Sequence, residues 1–325
     1  MFGFPLIVRG SLSGGFFYFI KQKVVFELVN WVLSNILAKK NMRRVTLVMN
    51  CPDRKGIIAA VTNFIHESSG NIVYIDQYVD RVNSIFFMRV ECELVEDNLS
   101  VENFELNFKK TVGKKYELKT DIYLNNVMPR MALFVSKYDH CLYDILGRHQ
   151  SGELKIEIPF ILSNHMDLKG IADRFDIPFY HVPVTKDTKR EAEQKQIELL
   201  QKHNIDFIVL ARYMQIISAE LIKHYPNKII NIHHSFLPAF PGAKPYHSAY
   251  ERGVKIIGAT SHYVTEELDA GPIIEQNTTH VSHLNSIDDF IEKGRDLERI
   301  VLSKALQLHV ARKVMVYQNK TVVFS

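Results

Sequence analysis

From Arg130 onward, short uninterrupted apolar runs alternate with segments of helical periodicity, and no other feature of the chain restricts its fold as tightly. "RMALFVSK", "KIEIPFILSN", "PFYHVPV", "DFIVLARY" and "KIINIHHS" read as strands. "HCLYDILGRHQ", "LKGIADRF" and the charged "DTKREAEQKQIELLQKHN" read as helices between them. A strand that is apolar along its whole length is buried on both faces, so this sheet needs helices above and below it. That is the pattern of a doubly wound, mostly parallel α/β domain. Residues 286–313 keep a helical stripe through Ile287, Phe290, Ile291, Leu297, Ile300 and Leu308, which predicts a long helix over one sheet face.

A smaller unit precedes it. "RRVTLVMN" predicts a strand and "CPDRKG" a turn. "IIAAVTNFIHESSG" predicts an amphipathic helix with Ile57, Val61 and Phe64 on one stripe and Gly70 at its stop. The strands "NIVYIDQYVD" and "SIFFMRVECEL", a helix "VENFELNFKKTVGKKY" and a last strand "LKTDIYL" complete the order βαββαβ. This is the ferredoxin-like, split-βαβ arrangement. The expected division is one unit at 42–124, a linker at 125–130 and the doubly wound unit at 131–325. In residues 1–41, Arg9, Lys21, Lys23 and Glu27 cut every apolar run well short of the ~20 residues a membrane helix requires. Nor do they follow the order of basic start, apolar middle and small-residue cleavage site of an export signal. An amphipathic interfacial helix is one reading of this segment; the expectation is a peripheral extension ahead of a fold that begins at Met42, in a chain with no membrane span.

Charge and cysteine usage narrow the function classes. The net charge of the 325 residues is only +4, with basic and acidic side chains intermingled. A nucleic-acid surface would show a dense basic stripe, so small anionic molecules are the better-matched partners. Cys51, Cys92 and Cys141 lie far apart with no CxxC pair. That argues against a disulfide framework and a cysteine zinc site, and suits a cytoplasmic protein.

The candidate chemistry is in "NIHHSFLPAFPGAKPYHSA", residues 231–249. On a period of two, Asn231 and His233 leave their strand on one face. They do so at the carboxyl end of a parallel strand, where open α/β sheets bind ligands. Downstream, Asp269 in "ELDAGPII" precedes a turn-forming Ala-Gly-Pro that would present it from a loop. An asparagine amide can donate to an oxyanion, a histidine can move a proton, and an aspartate can orient the imidazole. Such a set suits attack on a carbonyl by water or an amine. On spacing alone a second reading stands beside it, in which polar side chains at a strand end only satisfy backbone groups. A metal site fits less well. His233, His234, His247 and His262 are available, but neighbours on a strand point apart and no HExxH spacing occurs.

Two resemblances add to these readings. "CPDRKGIIAAVTNF" followed by "NIVYIDQYVD" resembles an ACT domain, a regulatory module that often binds an amino acid between copies of itself. It implies a homo-oligomer with either an effector site at Asp53, Arg54, Lys55 and Gly56, where backbone amides at a helix N-terminus favour a carboxylate, or a plain turn there in a module that only mediates assembly. Glycine and methionine are the expected effectors. The stretch from Asn231 to Gln276, with its Asn-x-His pair, "SFLP" turn and "DAG", resembles the Rossmann-like catalytic domain of formyltransferases that use 10-formyltetrahydrofolate. That resemblance covers nearly all of 130–325. It implies that Asn231, His233 and Asp269 are catalytic, with His262 close to them. It also implies that "ARYMQII" and "VTEELD" hold the folate, through Arg212, Met214, Gln215, Ile216, Val264 and Glu267. The folate is then the substrate, and no cofactor or metal is expected.

An ACT module ahead of a formyltransferase domain is the arrangement of formyltetrahydrofolate deformylases. It implies hydrolysis of 10-formyltetrahydrofolate to tetrahydrofolate and formate, which would supply formate for purine synthesis and balance folate pools. Relatives that formylate glycinamide ribonucleotide carry a glycine-rich phosphate loop after the first strand. Here that position reads "SKYDHCLYDIL", with no glycine and with Asp139 facing any phosphate. His234 stands where those relatives have proline, and it either lines the acceptor side or fills space. Lys244 either meets the folate tail or the departing formate, or is solvated. A transferase with an amine acceptor and a non-catalytic amino-acid sensor remain as alternatives.

Overall fold

The computed structural model describes residues 42–95, 100–239 and 245–325. The expectations for residues 1–41 and for Lys244 fall outside them.

The N-terminal unit consists of β1 (Met42–Pro52), α1 (Ile57–Glu67), β2 (Asn71–Asp80), β3 (Ile85–Val95), α2 (Val101–Phe108) and β4 (Lys119–Leu124). Its antiparallel sheet has the order β2-β3-β1-β4, as the βαββαβ pattern requires. Alternate residues of β1 and β3, among them Leu47, Met49, Met88 and Val90, meet Ile57, Val61, Ile65, Phe104 and Phe108 from the helices. Ile65, not Phe64, completes the buried stripe of α1; Phe64 packs edge-on against Phe104 and Phe108. The left-handed residue after α1 is Ser69, at φ 57°. Gly70 serves a different need, because a Cβ there would stand 2.8 Å from Ile65 Cγ2. Beyond Phe108, α2 widens into a π turn at Lys109–Gly113 and closes with one more turn at Lys114–Tyr116.

The second unit runs β5 (Arg130–Val135), α3 (His140–Gln150), β6 (Glu157–Ser163), α4 (Lys169–Arg174), β7 (Phe179–His181), α5 (Lys189–Lys202) and β8 (Phe207–Ala211). It continues with α6 (Ala219–His224), β9 (Ile229–His233), α7 (Pro245–Arg252), β10 (Ile256–Tyr263), β11 (Ile273–His280) and α8 (Ile287–Val310). The strand order is β11-β10-β9-β8-β5-β6-β7. Strands β5 to β9 are parallel, and β10 and β11 run against them. Because β5 begins at Arg130, the segment between the two sheets is 125–129. Both faces are covered as the apolar runs demand. Met131, Leu133 and Val135 pack with α3 and α8, whereas Ala132 and Phe134 share a core with residues of α5 and α6.

Two features depart from expectation. In α8, Ile300 is exposed, and the buried line runs instead through Phe290, Gly294, Leu297, Glu298, Val301 and Ala305. A glycine and a glutamate thus sit inside the apolar stripe. The second departure is a C-terminal hairpin, β12 (Val314–Tyr317) and β13 (Lys320–Val323). Met315, Tyr317, Val322 and Phe324 lie with Val48 and Phe87 on the sheet face of the first unit that its helices leave open. The two units are pinned there by Arg89, only 2% exposed. Its guanidinium donates to Arg312 O at 3.0 Å and Ala311 O at 2.9 Å, just past α8, where the helix dipole favours a cation. No helix among the described residues is long and apolar enough to cross a membrane.

Candidate active site

Strand β9 carries Asn231 and His233 to its carboxyl end, and β10 returns beside it antiparallel. His262 falls opposite Asn231, and Thr260 falls opposite His233. Directly opposed residues share a sheet face. Asn231 Nδ2 accordingly lies 3.3 Å from His262 Nε2, and His262 Nδ1 lies 3.0 Å from Tyr263 O. A carbonyl only accepts, so in the neutral ring Nδ1 carries the proton and Nε2 accepts from the asparagine. One of the two amide hydrogens of Asn231 remains free to donate elsewhere. Buried Thr260 steadies the loop that follows: its Oγ1 donates to Ser235 O at 2.9 Å and accepts from Leu237 N at 3.1 Å.

The loop after β10 brings in Asp269. Gly271 passes so close to β10 that a Cβ would lie 1.8 Å from Tyr263 O, and Tyr263 N donates to Pro272 O at 2.9 Å. Only glycine permits that approach. The close approach turns Asp269, itself left-handed at φ 54°, back over the sheet. Its Oδ2 stands 3.3 Å from His233 Nδ1 and its Oδ1 3.7 Å from His262 Nε2. His233 at Oδ2 first, and the neighbouring His262 second, hold the Asp269 carboxyl well below the usual carboxylate range despite its partial burial. A carboxylate facing Nδ1 keeps the proton there and leaves Nε2 of a neutral His233 with its lone pair. That Nε2 is buried and has no hydrogen-bond partner among the described residues. An unpaired polar atom inside a site is costly unless a ligand or water completes it.

These groups open onto a cavity of about 310 Å³ between the loop after β8 and the loop after β10. The expected residues Arg212, Met214, Gln215, Ile216, His234, Val264 and Glu267 all line it, together with Asn231, His233, His262 and Asp269. Met214 and Ile216 supply exposed apolar surface at its wall. Arg212 is left-handed at φ 61°. Its guanidinium lies 4.8 Å from the Tyr138 ring centre and 3.4 Å from Glu298 Oε2, so its charge is engaged behind the cavity wall.

A Formyl transferase family model matches residues 129–306, and an ACT domain model matches residues 45–99. A formyltetrahydrofolate deformylase from Synechocystis sp. is 51% identical over 281 residues, covering 86% of this chain and 98% of that protein. The chain belongs to the formyltetrahydrofolate deformylase family. The crystal structure of a formyltetrahydrofolate deformylase from Pseudomonas syringae pv. tomato superposes with a TM-score of 0.84 at 43% identity, covering 92% of this chain and all 100% of that one. The glycinamide ribonucleotide transformylase 1 of Symbiobacterium toebii matches at a TM-score of 0.58 and 27% identity, over 63% of this chain and 98% of its own.

Behind the wall of this cavity, sequence reasoning missed Glu298 and Tyr246. Glu298 is 1% exposed and accepts from Tyr246 OH at 2.8 Å, with His140 Nε2 at 2.9 Å. Burial by itself would raise the Glu298 carboxyl, but the His140 hydrogen bond and the Arg212 charge outweigh it and hold the group low. The Tyr246 ring meets His234 edge-on at 5.8 Å, and His234 lies 5.3 Å from His233. The available signal was Gly294 and Glu298, one turn apart in the apolar stripe of α8. A Cβ on Gly294 would stand 2.1 Å from Tyr246 Cζ, so the glycine is the groove that admits the tyrosine. Among the described residues, the grouping of potential metal ligands is His140, Cys141 and Glu298 rather than the loop histidines. It has Arg212 against its carboxylate and a thiol that burial pushes well up, both unfavourable to a cation.

The expected effector turn lies in the first unit, and none of its four residues lines the cavity. Gly56 caps α1 at φ 92°, where a Cβ would stand 3.0 Å from Tyr116 OH, and Arg54 pairs with Glu117 at 2.7 Å.

Proposed function

We propose that the cavity binds 10-formyltetrahydrofolate and that Asn231, His233 and Asp269 cleave its formyl group with water. His233 Nε2 takes a proton from water as the oxygen attacks the formyl carbon, and Asp269 stabilises the imidazolium that forms. The free amide hydrogen of Asn231 donates to the developing oxyanion. Collapse of the tetrahedral intermediate breaks the bond to N10, and His233 returns its proton to that nitrogen. Tetrahydrofolate and formate result, the latter available for purine synthesis. Met214, Gln215, Ile216, Val264 and Glu267 hold the folate, and no resident metal or cofactor takes part. The N-terminal unit (42–124) then serves the catalytic unit (130–325) as a regulatory module in a cytoplasmic homo-oligomer, with glycine or methionine bound at Asp53–Gly56.

The observation that carries this reading is the unpaired, buried Nε2 of His233, whose Nδ1 faces a carboxylate held ionised. Asp269→Asn tests it. Turnover is expected to fall by roughly 10²–10⁴-fold, while tetrahydrofolate affinity stays nearly unchanged because the Gly271 approach, not the charge, shapes the loop. Equal losses in turnover and affinity would make Asp269 a structural residue.

A further inference from the structure

We propose that Tyr138, Arg212, His140, Tyr246 and Glu298 form a lock, half-exposed at Tyr138 and buried at Glu298, that shuts the sheet's switch-point crevice to any acceptor larger than water, and so commit the site to hydrolysis. The inference rests on the formyl-cleaving reading above and concerns what excludes other nucleophiles.

In a doubly wound sheet, ligands enter where the strand order reverses. Here that point lies between β5 and β8, flanked by the loops that follow them. Those two loops are stapled together. Ser136 Oγ accepts from Met214 N at 3.1 Å and donates to Asn164 Oδ1 at 2.6 Å. Above the staple, Tyr138 lies against the Arg212 guanidinium at 4.8 Å. Arg212 is the shared wall, lining the cavity with Asn231 and His233 while reaching Glu298 at 3.4 Å. Behind it, His140 and Tyr246 both hold Glu298. Asp139 and Tyr143 face solvent on the outer side, with Asp144 paired to Arg148 and Arg299 tied to Asp296. The Asp139 carboxylate there opposes a phosphorylated acceptor.

Two costs show that the closure is built in. Arg212 holds a left-handed backbone at a buried position, a conformation that disfavours a side chain. Gly294 interrupts the interior of α8 solely where Tyr246 crosses it. In the related Symbiobacterium toebii transformylase, named for glycinamide ribonucleotide, the same domain fold serves a protein named for a larger acceptor.

Opening the lock would let an amine attack in place of water. The amine nitrogen would bond to the formyl carbon, the bond to N10 would break, and the amine proton would pass through His233 to N10. Tyr138 is 42% exposed, so Tyr138→Ala leaves the core intact. Ser136→Ala/Tyr138→Ala also removes the staple. The full-length wild type and both variants are given 10-formyltetrahydrofolate at pH near 8 with and without glycinamide, and N-formylglycinamide and formate are counted by mass spectrometry. Expected is formate alone from the wild type. Both variants keep releasing formate and gain N-formylglycinamide in proportion to glycinamide, by on the order of tenfold or more over the wild type. Folded, hydrolysing variants that make none, or a wild type that already makes as much, overturn the lock. A wild type that releases no formate without amine overturns instead the hydrolytic reading on which it rests.

Discussion

Replacing Gly294 with alanine probes the densest contact behind the site. Its Cβ would stand 2.1 Å from Tyr246 Cζ and 2.3 Å from the hydroxyl, so the ring has to move. Tyr246 is 7% exposed and packed, and overpacking of this kind costs about 1–3 kcal/mol. Displacing the ring also breaks the 2.8 Å hydrogen bond to the Glu298 carboxylate, worth about 1.5–3 kcal/mol for a charged acceptor. Against these stands the better helix propensity of alanine, about 1 kcal/mol. The net expectation is a loss of roughly 2–4 kcal/mol, or about 5–15 °C in the midpoint of thermal unfolding for a unit of this size. Scanning calorimetry of Gly294→Ala, Tyr246→Ala and the double variant separates the causes. In the Tyr246→Ala background the ring is gone, and Gly294→Ala is expected to stabilise slightly. If the glycine substitution costs the same in both backgrounds, or costs nothing in the wild type, Gly294 is not the groove for Tyr246.

His309 makes the acid response of the fold predictable. Burial pushes its imidazole down to about 3, and Tyr263 OH lies 2.8 Å from its Nδ1. The folded chain therefore refuses a proton that the unfolded chain accepts below about pH 6.5, and stability should fall by about 1.4 kcal/mol per pH unit from there towards about pH 3. Above about pH 6.5 this contribution is complete. His309→Gln should flatten that slope, and denaturation curves at several pH values that slope equally in both proteins would contradict it. Arg89→Ala should uncouple the two units, since it strips the Ala311 and Arg312 carbonyls of their donor at a cost of about 2–4 kcal/mol. The expected result is faster proteolysis at 125–129, without rescue in Arg89→Lys, because only the guanidinium fork reaches both carbonyls. Unchanged proteolysis would mean that the hairpin alone holds the units together.

The fold was legible wherever burial imposes a local period. The apolar strands of the second unit and the βαββαβ order of the first follow from runs of a few residues, and so does the shared face of Asn231 and His233. Asp269 was legible because its Ala-Gly-Pro turn is written beside it, although the reason for Gly271, the carbonyl of Tyr263, is visible only in three dimensions. The hidden parts depend on distant partners. Tyr246 and Glu298 meet across 52 residues, and a lone glutamate in an apolar stripe does not name the arginine, histidine and tyrosine that surround it. The stripe of α8 drifted onto exposed Ile300 because an isoleucine one position off the buried line still matches the period. The terminal hairpin escaped notice because its half-buried strands are short and gain their apolar contacts from the other unit. Arg212 was placed among the folate-binding residues by its neighbours in sequence; it does line the cavity, but its guanidinium also lies 3.4 Å from Glu298.

The most direct test of the central claim supplies 10-formyltetrahydrofolate to the purified chain in ¹⁸O-labelled water with no amine present. Attack by water yields tetrahydrofolate and formate in equal amounts, each formate carrying a single labelled oxygen. No formate until an amine is added, or formate without label, would contradict it.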